Sequence, residues 1–165
     1  YLSDAHPLYL PIDERHPSFA VSPYACSKVQ GEVWCKAYVK RFKKPAIAIR
    51  PSWIIPLERE GDFSAQKAPE KAHLLEYVGT SDVIRGVALA LEYYPKDGFD
   101  VFLLNAADQW STTPSLEWTG RHFPSVPVDR LRLCAVDGFG ALVNCMHVEE
   151  LLGWRPAFRC KRGMR

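Results

Sequence analysis

The 165-residue chain has no apolar run near the roughly 20 residues that a membrane helix needs. Its start, Tyr1-Leu2-Ser3-Asp4-Ala5-His6-Pro7, has neither the basic region nor the apolar core of a signal peptide. With nothing to direct the chain elsewhere, a cytoplasmic location is expected. No C-x-x-C pair occurs, and the five cysteines, Cys26, Cys35, Cys134, Cys145 and Cys160, are odd in number. Reduced thiols fit this better than a disulfide framework or a zinc site. The thiols are expected to act as small buried hydrophobes, and no metal is expected. Charge of one sign is also scarce. The net charge of +2 does not make nucleic acid the default partner. The basic clusters at Lys40, Arg41, Lys43 and Lys44 and at Arg159, Lys161, Arg162 and Arg165 read as a solvated helix end and a tail. Repeats and low-complexity tracts are absent. Tyr1 is not a methionine, and neither a capped helix nor a clear strand opens the chain, so a fragment or truncated product is expected.

The composition present is that of a soluble globular protein, 47% hydrophobic and 24% charged. Residues 1–165 suit one α/β unit. Prolines 7, 11, 17 and 23 keep the first 22 residues in a loop. Ser22-Pro23 reads as a helix start, with serine as N-cap and proline in the first turn. The helix should run to about Phe42, with Val29, Val33 and Ala37 as an apolar stripe, basic residues at its C-terminus and Pro45 as its stop. Ala46 to Arg50, continuing through Trp53-Ile54-Ile55, reads as a strand buried on both faces of a parallel sheet. Residues 56–72 are irregular, and Leu74 to Val78 is a short strand. Thr80 or Ser81 should cap a helix that carries Val83, Ile84, Val87, Ala88 and Leu91 on one side. Asp97-Gly98 is a turn, Asp100 to Asn105 a strand, Pro114 to His122 a helix, and His147 to Leu152 a last helix stopped by Gly153.

One spacing carries chemistry. Tyr24 and Lys28 in Tyr24-Ala25-Cys26-Ser27-Lys28 are four residues apart, about one helical turn, so they share a face. A free tyrosine titrates near 10, too high for a base at neutral pH, and a lysine charge beside it favours the phenolate. Such a pair can move a proton to or from an alcohol or carbonyl while a cofactor moves hydride. The spacing alone also occurs by chance, with the tyrosine packed and the lysine solvated.

The surroundings raise its weight. Leu10-Pro11-Ile12-Asp13-Glu14-Arg15-His16-Pro17 precedes Ser22-Pro23-Tyr24-Ala25-Cys26-Ser27-Lys28-Val29-Gln30-Gly31-Glu32. Ile49-Arg50-Pro51, then Tyr77-Val78-Gly79-Thr80-Ser81-Asp82, then Leu151-Leu152-Gly153-Trp154-Arg155-Pro156 follow. Together, in this order, the blocks resemble the extended short-chain dehydrogenases, the NAD-dependent epimerase/dehydratase family, in its C-terminal portion. The resemblance implies a partial doubly wound, Rossmann-like parallel sheet with a small C-terminal α/β substrate-side region. It implies NAD as cofactor, with NADP not discriminated, and a sugar or sugar nucleotide as substrate. Tyr24 would be the general acid/base, and Lys28 would bind the nicotinamide ribose and favour the phenolate. Pro51 and Ser52 would lie near the nicotinamide. Arg50 would order the loop there or serve structure, Asp82 would cap its helix, and Trp154 would pack on the domain body. A homodimer through the tyrosine-bearing helix follows by analogy. Neither nucleic acid nor a membrane is implied.

The departures are specific. The glycine-rich turn that carries the dinucleotide pyrophosphate is missing, and Asp137-Gly138-Phe139-Gly140 does not replace it. The family's catalytic Ser or Thr has no counterpart, because Ser3 falls after the tyrosine that should follow it. Trp53 stands where many sugar-nucleotide enzymes have asparagine, and Pro56 replaces a common glycine. The strand at 46–55 is expected to lack a neighbour and to leave an apolar edge. Two functions therefore stand side by side: an oxidoreductase of the epimerase/dehydratase type, and an inactive remnant that serves as an interaction or structural module. A small unrelated α/β binding domain is a third.

Overall fold

The computed structural model describes residues 7–68 and 74–162. Tyr1, Ser3 and Arg165 lie outside the described residues. In chain order the elements are α1 (Pro23–Phe42), β1 (Ala46–Pro51), β2 (Ile54–Ile55), α2 (Leu57–Glu60), β3 (Val78–Gly79), α3 (Thr80–Glu92), β4 (Phe99–Leu104), α4 (Ser115–His122), α5 (Arg130–Leu133), α6 (Ala135–Gly138) and α7 (Met146–Leu152). β1 pairs with β4 in parallel, from Ala46 opposite Phe99 to Pro51 opposite Leu104. β2 pairs with β3, also in parallel. The chain is thus mixed α/β with small parallel sheets.

The β1–β4 pair has a helix on each face. Side chains alternate across a strand, so Ala48, Arg50, Phe99 and Leu103 share one face while Ile49, Phe102 and Leu104 share the other. α1 lies on the first. Its Glu32 carboxylate accepts two hydrogen bonds from Arg50, at 2.6 and 2.7 Å, and its Lys36 ammonium sits 5.2 Å from the centre of the Phe99 ring. α3 and α7 lie on the second, where Val78, Phe102, Leu104, Val148 and Trp154 form a buried cluster. Gly86 makes this seat possible: a Cβ there would meet Leu104 Cδ1 at 2.7 Å. A further core joins Leu10, Leu74, Leu75, Leu103, Trp118, Leu133 and Leu142 beneath the chain's first segment.

Buried polar groups tie the C-terminal part to this frame. Asp82 is fully buried, and its carboxylate accepts from the N–H groups of Ala157 (3.0 Å) and Phe158 (2.9 Å) and from Arg85 (2.7 Å). The Trp154 indole donates to the Asp82 carbonyl at 3.0 Å, so the packing role expected of Trp154 is the one it has. Tyr77 donates to Asp108 and accepts from the Cys160 N–H. Burial, with the Asp108 charge next, pushes the Tyr77 hydroxyl's pKa far up, so it stays a donor. Burial also raises the Asp108 carboxyl.

Several expectations need correction. In α1, Val33 and Ala37 are exposed; Ala25, Val29, Glu32, Cys35 and Val39 turn inward instead. In α3, Ile84, Val87, Ala88 and Leu91 are exposed, and the inward face is Asp82, Gly86 and Ala90. Close approach to the strands requires small side chains there, which a pattern of large apolar residues does not reveal. Neither Thr80 nor Ser81 caps α3. Gly79 holds that position, Thr80 donates to the Ile55 carbonyl, and Ser81 donates to Glu60. Asp82 latches the C-terminal segment rather than capping its helix. Only the last residue of the expected 74–78 strand is in β3, because Leu75 takes a positive φ of 53° and breaks extended backbone. Of the cysteines only Cys160 is buried, while Cys26 and Cys134 are exposed. Gly153 ends α7 in the left-handed conformation expected of it, with φ 67°. Among the described residues no helix is long and apolar enough to cross a membrane.

Candidate active site

The site is built where α1 begins and β1 ends. Ser22 caps α1 by accepting from the Ala25 N–H at 3.1 Å, and Pro23 sets the first turn. This fixes Tyr24 in the first turn and Lys28 one turn on. The Lys28 ammonium lies 5.0 Å from the centre of the Tyr24 ring, within cation–π range. Tyr24 itself is 71% exposed, so its hydroxyl is open to a ligand.

β1 delivers the second group of residues. The Ser52 N–H donates to the Leu104 carbonyl at 3.0 Å, extending the sheet by one bond. The Ser52 hydroxyl donates to Asn105 Oδ1 at 2.6 Å, and the Asn105 amide donates to the Ala106 carbonyl. Buried Asn105 therefore fixes the loop that follows Pro51. Arg50, one residue earlier, is held by Glu32 on α1, which couples the helix and strand that carry the site.

Tyr24, Lys28, Pro51 and Ser52 all line one cavity of about 630 Å³. Its size suits a small-molecule ligand. Asp13, His16, Arg50, Trp53 and Glu76 add polar and aromatic walls. Trp53 stacks edge-on against Phe63 and Trp110, at 5.8 and 6.3 Å between ring centres.

Sequence reasoning gave no role to His16, Asn105 or Glu14. His16 is buried in the wall. Its Nε2 accepts from the Leu8 N–H at 2.9 Å, leaving Nδ1 to donate to the Pro17 carbonyl at 2.8 Å. Both of its ring nitrogens are committed to backbone groups. No local signal marks it, since its partners are backbone groups. Glu14 accepts from the Leu103 N–H at 2.8 Å. Burial pushes its carboxyl up, only partly offset by that bond. Asp82 and Trp154 do not line the cavity.

The fold has counterparts among solved structures. The chain has a parallel α/β fold that matches, in part, the Rossmann-type structures of NAD-dependent epimerases and dehydratases of the extended short-chain dehydrogenase type. UDP-glucuronic acid 4-epimerase from Bacillus cereus, solved with UDP-glucuronic acid and NAD, superposes with a TM-score of 0.59 at 20% identity, over 90% of this chain and 52% of its own. DesIV, a dTDP-glucose 4,6-dehydratase from Streptomyces venezuelae, gives 0.57 at 20% identity over 90% and 50%. RMD from Pseudomonas aeruginosa, complexed with NADPH, gives 0.61 at 14% identity over 91% and 56%. The chain spans about half the length of the solved chains it matches. At these identities the likeness establishes the fold. No family model matches the chain, and no curated protein does.

Proposed function

We propose that this chain is the C-terminal, substrate-side portion of an NAD-dependent oxidoreductase of the epimerase/dehydratase type, acting on a sugar or sugar nucleotide. The observation that carries the reading is the convergence of Tyr24, Lys28, Pro51 and Ser52, drawn from two distant stretches of sequence, on one cavity. The residues present fit the nicotinamide–ribose end of NAD or NADP: an ammonium for the ribose hydroxyls, and a loop after Pro51 that Asn105 holds in place. The 165 residues contain no glycine-rich turn for the pyrophosphate, so this chain alone binds NAD weakly or not at all. When bound, the dinucleotide supplies the hydride acceptor. Tyr24 takes the proton of the substrate hydroxyl on its phenolate oxygen, which becomes the neutral phenol. Lys28 brings positive charge to the tyrosine ring and orients the ribose. Trp53, half exposed, lines the cavity beside them.

The test is Lys28→Met in the protein that carries this chain, assayed with UDP-glucuronic acid and NAD. The KM for NAD should rise and kcat fall together. Unchanged values of both would remove Lys28 from the site.

A second reading, an interaction module or a homodimer, draws on the outward face of α1. Trp34 is 70% exposed there, beside Tyr38 and Phe42, a patch that suits a second copy of the helix. Light scattering should then give a dimer that Trp34→Glu converts to monomer. A monomeric unsubstituted chain contradicts this reading.

A further inference from the structure

The two strands of the main sheet run parallel, so their N-terminal ends lie together, away from the candidate active site. Six residues of strand at about 3.3 Å each separate the two ends by about 20 Å. At the far end is a second cavity, of about 590 Å³. Lys36 and Lys40 from the last turns of α1, Lys43 and Lys44 from the loop behind it, and Lys96 from the turn before β4 all line it. Among the described residues, Asp97 is the one carboxylate that lines it.

We propose that this cleft binds a small free oligophosphate. The proposal is independent of the function assigned to Tyr24 and Lys28. Compensation of the helix dipole does not account for the cluster. A helix C-terminus carries about half a negative charge, whereas five lysines and one aspartate line this cavity. Lys96 belongs to a different element altogether, and the fold brings it across to the lysines of α1. The five lysines are solvent-exposed, and gathering like charges around one concavity raises a positive potential that attracts an anion of matching charge density. Every cation is a lysine, a point-charge donor that suits phosphate oxygens without the bidentate geometry that arginine imposes. Half-buried Val39 and Phe99 line the cleft beside exposed Tyr94. The shape favours a compact ligand. A nucleic-acid strand needs cations along a groove that tracks its backbone, and these are gathered around a single hollow.

Inorganic triphosphate is the probe, titrated calorimetrically into the whole chain at about 0.15 M salt, where distant surface charges are screened. Saturable one-to-one binding is expected. Lys40→Gln with Lys96→Gln removes two exposed cations from separate elements, and should weaken binding about tenfold or more. Lys67→Gln with Lys161→Gln removes the same charge from exposed positions outside the cleft, and should leave the affinity within about twofold. Unchanged melting temperatures establish that both variants are folded. Three results overturn the proposal: no saturable binding, equal weakening in the two double variants, or displacement of triphosphate by a single-stranded oligonucleotide that binds the same lysines more tightly.

Discussion

α1 and α3 lie on opposite faces of the same two strands, and they are held there by different means. α3 is seated by a fully buried carboxylate, Asp82, which accepts from two backbone N–H groups of the C-terminal segment. Gly86 lets the helix come down onto Leu104. α1 is seated by the Glu32–Arg50 pair, whose side chains keep 13% and 20% of their exposure, and by the half-buried Val29 and Val39. Both helices turn large apolar residues outward: Trp34 and Phe42 on α1, Ile84 and Leu91 on α3. What seats each helix is therefore a polar latch with small or medium side chains beneath it, not the widest apolar stripe. The latch of α3 serves the fold. The latch of α1 also serves the site, because Arg50 sits between Ile49 and Pro51 at the cavity wall.

The largest effect is expected at the buried latch. Asp82→Ala strands the N–H groups of Ala157 and Phe158, and should cost roughly 3 kcal/mol in urea unfolding. A loss below about 1 kcal/mol would show that water or rearrangement replaces the carboxylate, and the contrast with α1 would collapse. Glu32→Gln should cost less, about 1–2 kcal/mol, because the pair is charge-assisted but partly solvated. If it costs as much as Asp82→Ala, the two latches are equivalent.

A third, pH-dependent effect comes from Glu14, which covers the outer edge of β4. Burial raises its carboxyl above the ordinary glutamate value, so the folded chain holds that proton more tightly than the unfolded chain. Its contribution to stability is full below the ordinary value, about pH 4, and is lost as pH rises through the raised one. Glu14→Gln keeps an acceptor for the Leu103 N–H and has no proton to lose. Its stability relative to the unsubstituted chain should therefore improve between about pH 4 and pH 7. A difference that does not vary with pH would contradict the burial of this carboxyl. Trp34→Ala should have the smallest effect, within about 0.5 kcal/mol in the monomer, since the ring touches solvent.

Much of the frame was legible in the sequence because its signals are local. Ser22-Pro23 and Pro45 bracket α1, apolar runs mark β1 and β4, and Gly153 ends α7. What escaped depends on contacts between distant residues. The inward faces of α1 and α3 are chosen by how near the strands come, so Gly86 and Ala90 outrank Val87 and Leu91. β3 shrinks to two residues because Leu75 adopts positive φ. α5 and α6 were not foreseen, and α6 contains Val136 and Asp137 at positive φ, backbone that side-chain pattern does not specify. The site divides in the same way. Tyr24 and Lys28 share a helix face, and their spacing says so. Their meeting with Pro51 and Ser52 follows from no local pattern and was anticipated only through resemblance to a family. The pins behind the site, Asn105 and His16, bond to a loop serine and to backbone, and left no mark in the sequence.

Tyr24, as proposed, transfers a proton at this cavity. Its hydroxyl is exposed, so Tyr24→Phe should leave the melting temperature unchanged. In the protein that carries this chain, Tyr24→Phe should lower kcat with a sugar nucleotide and NAD by about 10²–10⁴-fold, while substrate affinity stays near its original value. Undiminished turnover in a folded Tyr24→Phe protein would contradict proton transfer by Tyr24.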